Sequence, residues 1–191
     1  MNYNRFVMAN KKMWSIICLL LSLLLLFIPW SGDYNTSYIR DAIVWGVSET
    51  NYTTEEVFAI ADNADNGMSP FELIQYSFCY ADTLLGYRTG GLEGYFSAQY
   101  ALMYRLYAIW MIMTIAVHGI VAVLHLFNRR FRGFVSPAAI SVILGLFLYF
   151  RFHGDISNLN TWGFVSLIAS LLSCLLWDMH CKQIENDEKT G

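Results

Sequence analysis

Between Trp14 and Trp30 the chain reads WSIICLLLSLLLLFIPW, without one charged residue. A helix of about 17 residues rises about 26 Å, close to the hydrocarbon thickness of a bilayer. Further apolar blocks occupy residues 101–127, 134–152 and 162–178. With the first block at 14–30, the pattern predicts an all-α polytopic membrane protein, a four-transmembrane-helix bundle. Only 14% of residues are charged, against about 25% in an ordinary soluble domain. The first block exceeds the usual signal-peptide core and no A-x-A-like site follows it, so it reads as an uncleaved signal-anchor.

Orientation follows from the positive charges of the short segments. Residues 1–13 hold Arg5, Lys11 and Lys12 without an acid, and residues 128–133 hold Arg129, Arg130 and Arg132 without an acid. Residues 31–100 hold only Arg40 and Arg88 against ten acids. Both basic segments share a side if the number of spans between them is even. The expectation is a multi-pass cell-membrane protein with cytoplasmic N- and C-termini, a long outer segment 31–100, a short outer loop 153–161 and a polar tail 179–191. Trp14, Trp30, Trp110, Trp162 and Trp177 fall mostly at span ends, where an interfacial aromatic belt is expected.

The outer segment is too long for a bare connection and is expected to be mainly helical. Thr53 and Glu56 form one capping box, and Ser69-Pro70-Phe71-Glu72 forms a second with proline at the first helical position. The latter predicts a helix over Ser69–Gly86 with Phe71, Ile74, Phe78 and Leu85 along one face. Gly90, Gly91 and Gly94 predict a flexible turn before the second span enters as a long helix projecting above the bilayer. Asp62 to Gly67 followed by Glu72 resembles a calcium loop only superficially. With Gly67 sixth, Ala64 stands third and Glu72 falls eleventh instead of twelfth, and Asn66-Gly67 reads more simply as a turn. Asn35 and Asn51 each begin a glycosylation triplet.

Chemistry-bearing residues are sparse. His118 and His125 are seven apart on the second span, and Cys174 and Cys181 are seven apart on the fourth. Each pair therefore lies on one helix face. A soft metal or redox site would need one residue from each pair to converge, since two turns separate members of a pair by about 10 Å. The alternative is that the cysteines pack and the histidines hydrogen-bond inside the bundle. That reading predicts no metal, calcium or other cofactor. Cys79 is expected to be a small buried residue, and no CxxC occurs. Arg105 is placed to pair with Glu93 or Asp82. No acid lies in mid-span, so the usual relay of a cation-coupled transporter is missing. Ser166, Ser170, Ser173, Gly163 and Ala169, with Ala138, Ala139, Ser141 and Gly145, suit close helix packing. Hydrolase and phosphate-loop signatures are absent.

Four spans with a long first outer loop resemble claudin-like and tetraspanin-like proteins in layout. The resemblance is of topology alone: the loop has Trp45-Gly46 but neither W-G-L-W-C-C nor C-C-G, so no function carries over. The leading expectation is a non-catalytic protein acting by contact, an accessory subunit or scaffold. Its partners would be the lipid bilayer and another membrane protein or a second copy, not nucleic acid. A small oligomeric transporter or channel component is the alternative. A membrane redox or metal protein using His118, His125, Cys174 and Cys181 is the third reading.

Overall fold

The structure is a computed structural model and describes residues 3–31, 53–65, 67–86, 92–127, 134–152 and 159–190. Among the described residues it is all-helical, with α1 Tyr3–Leu25, α2 Thr54–Asp65, α3 Pro70–Gly86, α4 Leu92–Leu126, α5 Val135–Phe152 and α6 Thr161–Thr190. The sequons at Asn35 and Asn51, Trp45-Gly46 and the basic loop Arg129–Arg132 lie outside the described residues. Two helices are long and apolar enough to cross a membrane, over Ala98–Leu126 and Thr161–Lys189, and α5 supplies a shorter apolar stretch, Val135–Phe150.

α1 packs along α6, α3 along the start of α4, and α5 against both α6 and α4. The buried stripes have a seven-residue repeat, as in supercoiled helices. On α4 the stripe is Ala101, Tyr104, Ala108, Met111, Thr114, His118, Val121 and His125. On α6 it is Ser166, Ser170, Ser173, Trp177 and His180, with Gly163 one step before it. Large apolar side chains cover the outward faces instead: Leu20 and Leu24, Ile109 and Ile112, Ile143 and Phe147, Ile168 and Leu172 are all exposed. The interior is thus partly polar and the periphery apolar.

Both helix starts form as the capping boxes dictate. The Thr53 N–H donates to Glu56 Oε2 at 2.8 Å, and the Glu56 N–H donates back to Thr53 Oγ1 at 3.3 Å. Ser69 and Glu72 repeat this at 2.8 and 3.4 Å. α2 runs through Asp65, so Asp62 is wound into a helix, not laid out in a calcium-binding loop. Gly67 makes the turn with φ +84°, a conformation open to glycine. Its missing side chain also admits the Ser31 carbonyl, which would sit 3.1 Å from a Cβ. Arg105 pairs with Asp82 at 2.9 Å, and Cys79 is buried.

Several expectations are corrected. The first apolar block is helical only to Leu25; the chain then turns, and Pro29 and Trp30 are irregular. Gly94 lies inside α4 and not in a turn, and the tail after residue 178 continues α6 to Thr190. On α3 the inward face is Leu73, Tyr76, Ser77 and Ala81, while Phe71 is exposed and Ile74 and Phe78 are half-buried. The partner decides this: Tyr104 of α4 receives Tyr76 and Tyr80, with ring centroids 6.4 and 4.5 Å away. Of the five tryptophans expected in an aromatic belt, only Trp14 and Trp162 are exposed, at 54% and 53%, while Trp30, Trp110 and Trp177 are buried. Each of the first two has an indole partner inside the protein. Trp30 donates to the Leu25 carbonyl at 2.7 Å and Trp110 to the Ser141 carbonyl at 3.2 Å.

Trp30 is the centre of a junction at the end of α1. Its N–H donates to the Met68 carbonyl at 2.8 Å, and its carbonyl accepts from the Asn160 N–H at 2.6 Å. Asn160 caps α6 by accepting from the N–H groups of Trp162 and Gly163 at 3.0 and 3.2 Å, and its side-chain amide donates to the Pro29 carbonyl. Ser31 bridges Leu159. The end of α1, the α2–α3 turn and the start of α6 are therefore tied together through backbone groups.

Candidate functional site

His118 and His125 face inward because they occupy the heptad stripe of α4 where it meets α1 and α6. In the layer nearer the start of α1, called the inner layer for that position alone, His125 Nδ1–H donates to the Val121 carbonyl at 2.8 Å. A carbonyl only accepts, so that contact assigns the proton to Nδ1. His125 Nε2 then faces Ser15 Oγ of α1 at 2.7 Å. The same Ser15 hydroxyl donates toward the Ser173 carbonyl of α6 at 2.8 Å, and Ser173 Oγ donates back to the Ser15 carbonyl at 2.9 Å.

Seven residues away on all three helices the pattern recurs with the serine roles exchanged. His118 Nδ1–H donates to the Thr114 carbonyl at 2.7 Å. His118 Nε2 faces Ser166 Oγ of α6 at 3.4 Å, and Ser166 Oγ donates to the Ser22 carbonyl of α1 at 2.9 Å. Ser22 itself turns back to the Leu19 carbonyl. Ser15, Ser22, Ser166, Ser173 and His118 are almost wholly buried, and His125 is 8% exposed. Trp177 lies against His125 with ring centroids 4.3 Å apart and also contacts the ring of His180.

The cysteines lie on a neighbouring stripe. Cys174 is buried with Leu19, Val121 and Ala138, and Cys181 is buried farther along α6. None of the four cysteines is in a disulfide. Among the described residues no group of three or more His, Cys, Asp or Glu side chains is placed to hold a metal ion. Both histidines of the pair face serines.

A serine hydroxyl 2.7 Å from an imidazole nitrogen is also the beginning of a nucleophile–base pair. Two features oppose that use. Ser15 is fully enclosed by three helices, leaving no approach for a carbonyl substrate. The surrounding backbone is helical, so its N–H groups are committed and cannot form an oxyanion hole. The arrangement ties α1, α4 and α6 together through hydrogen bonds.

The serines are the part that sequence reasoning missed. Ser166 and Ser173 read only as small packing residues, and Ser15 and Ser22 went unremarked. The signal was present as the same seven-residue interval on three helices. Neither a family model, nor a curated protein, nor a solved structure matches this chain.

Proposed function

We propose that the chain is a four-span cell-membrane protein, both termini cytoplasmic, that works by contact with another membrane protein or a second copy of itself. One observation carries the reading. Ser15, Ser22, Ser166, Ser173, His118 and His125 of the seam are engaged in hydrogen bonds within it, and Thr114 Oγ1, Ser170 Oγ and His180 Nδ1 are buried beside them without a partner, while the outward helix faces carry leucine, isoleucine and phenylalanine. A path for solutes would leave such groups facing an opening. A closed polar seam inside an apolar coat instead makes a rigid unit that displays surfaces. The basic residues of segments 1–13 and 128–133 support the orientation. α2, held through α3 and exposing Thr54, Glu55 and Ala59, offers its free side to the outside.

Photo-crosslinking residues at Glu55 and Ala59, in the native membrane, test the contact. A discrete adduct of fixed mass is expected at these positions and not at buried Ala61. Purified protein in sealed vesicles is expected to conduct no ions. Ion flux without an adduct would replace the contact reading by the transporter reading. A cysteine at Asn186 is expected to escape a membrane-impermeant label in intact cells, and its labelling would reverse the orientation.

A further inference from the structure

The two layers repeat one hydrogen-bond pattern, and its proton count is uneven. A neutral imidazole that donates from Nδ1 is only an acceptor at Nε2. In the inner layer, Ser15 has one hydroxyl proton and faces two acceptors at short range, His125 Nε2 at 2.7 Å and the Ser173 carbonyl at 2.8 Å, with Ser173 Oγ farther off at 3.4 Å. One of these short contacts is left without a hydrogen. If Nε2 gains a proton, the ring donates to Ser15 Oγ and the serine turns its own hydrogen to the Ser173 carbonyl. Each of the three contacts then holds one hydrogen.

We propose that the His125–Ser15–Ser173 layer is a buried proton-binding site, independent of any partner, in which one proton from solvent water binds Nε2 and Ser15 switches acceptor. The bond formed is Nε2–H, the donor is water or hydronium, and nothing is oxidised or reduced. The Trp177 ring against His125 supplies a face that favours a cation. Burial of the ring is the larger effect against a cation there, and Lys12 of α1 adds like charge. On α6, Asp178 is engaged by Lys182 and His180 lies on the far contact of Trp177. The apolar cluster that includes Val121 also holds Leu19, Ala138 and the Cys174 thiol. The outer layer provides an internal comparison. Its Ser166–His118 contact is longer, 3.4 Å, and His118 is only 1% exposed, so His118 stays neutral where His125 takes the proton.

Nitrogen-15 NMR of histidine-labelled full-length protein in lipid nanodiscs, assigned with single His→Gln variants, reads this directly between about pH 4 and 8. The expected result is a neutral Nδ1–H ring at His125 in alkali, a doubly protonated ring in acid, and a His118 signal that stays neutral. Ser15→Ala is expected to move the His125 midpoint down by about one pH unit or more, as loss of a hydrogen bond to a charged group requires. Ser15→Thr should restore it. A neutral Nε2–H form at His125, no protonation by the acid end, or a midpoint unchanged in Ser15→Ala overturns the proposal. If Ser15→Ala fails to fold, the ring form and titration of the unsubstituted protein decide by themselves.

Discussion

Replacing Gly145 and Gly119 by alanine should give opposite results, although both are helical glycines in apolar surroundings. A Cβ at Gly145 of α5 would stand 3.0 Å from Trp110 Cζ2, 3.1 Å from Leu167 Cδ1 and 3.4 Å from Trp110 Cη2. Ordinary carbon contacts lie near 3.5–4.0 Å, so the neighbours must move by about half an ångström. Trp110 has little room to do so, being hydrogen-bonded to the Ser141 carbonyl and stacked near Tyr107 at 5.5 Å. Overpacking of this kind costs about 1–3 kcal/mol, offset by about 1 kcal/mol from the better helix former. Gly145→Ala should therefore be destabilised by about 0–2 kcal/mol. A Cβ at Gly119 meets nothing within 4 Å, so Gly119→Ala keeps only the gain, about 0.5–1 kcal/mol. Reversible unfolding in bicelles would measure both. The informative quantity is the gap between the variants, about 1–3 kcal/mol, in which the helix term cancels. Equal stabilities would show that α4, α5 and α6 do not meet closely at Gly145 and would refute the packing described.

Ser69→Ala should cost about 0.5–2 kcal/mol and raise hydrogen exchange in the first turn of α3; protection unchanged there would remove the cap from the account. The Glu56 carboxyl is held below the usual carboxylate range by hydrogen bonds from the Thr53 backbone and side chain. A lowered folded value means the cap contributes at neutral pH and is lost as pH falls through that value. The carbon-13 shifts of Thr53–Glu56 should show fraying in acid, absent in Glu56→Gln. The Arg105 side chain is 46% exposed, so Asp82→Asn should change stability by less than about 1 kcal/mol; a loss several times larger would mean the pair is enclosed. Brominated lipid should quench single-tryptophan proteins retaining Trp14 or Trp162, but not those retaining Trp30 or Trp177, and equal quenching would contradict the burial of the latter.

What was legible in the chain is what depends on nearby residues. Caps at Thr53 and Ser69 form between positions three apart, so their partners are already chosen by spacing. The turn at Gly67 is likewise local. Facing was harder. α3 is apolar almost all round, and both Phe71–Ile74–Phe78 and Leu73–Tyr76–Tyr80 satisfy helical spacing; only Tyr104, more than twenty residues on, selects between them. Trp30 looked interfacial because tryptophans gather at span ends, yet the break at Pro29 turns it under the Met68 carbonyl. His118 and His125 were visible as a pair, but their serine partners depend on the rotations of α1 and α6, which no local pattern sets. A search for polar residues repeating at seven on several helices would have joined them.

The pairing of α1 with α6 also imposes an order of events on biosynthesis. Ser15 and its partner Ser173 are 158 residues apart, so at about 5–20 residues per second the ribosome delivers the second roughly 8–30 s after the first. During that interval α4 can face Ser15 through His125, but the Ser15 and Ser22 carbonyls still lack the serine donors of α6. The Trp30 carbonyl waits equally long for Asn160. α1 is thus completed only by α6, and a chain stopped before Thr161 should be cleared by quality control however well its other helices have formed. Pulse-chase of nascent chains ending at Phe152 and at Gly191 would show it as a difference in lifetime.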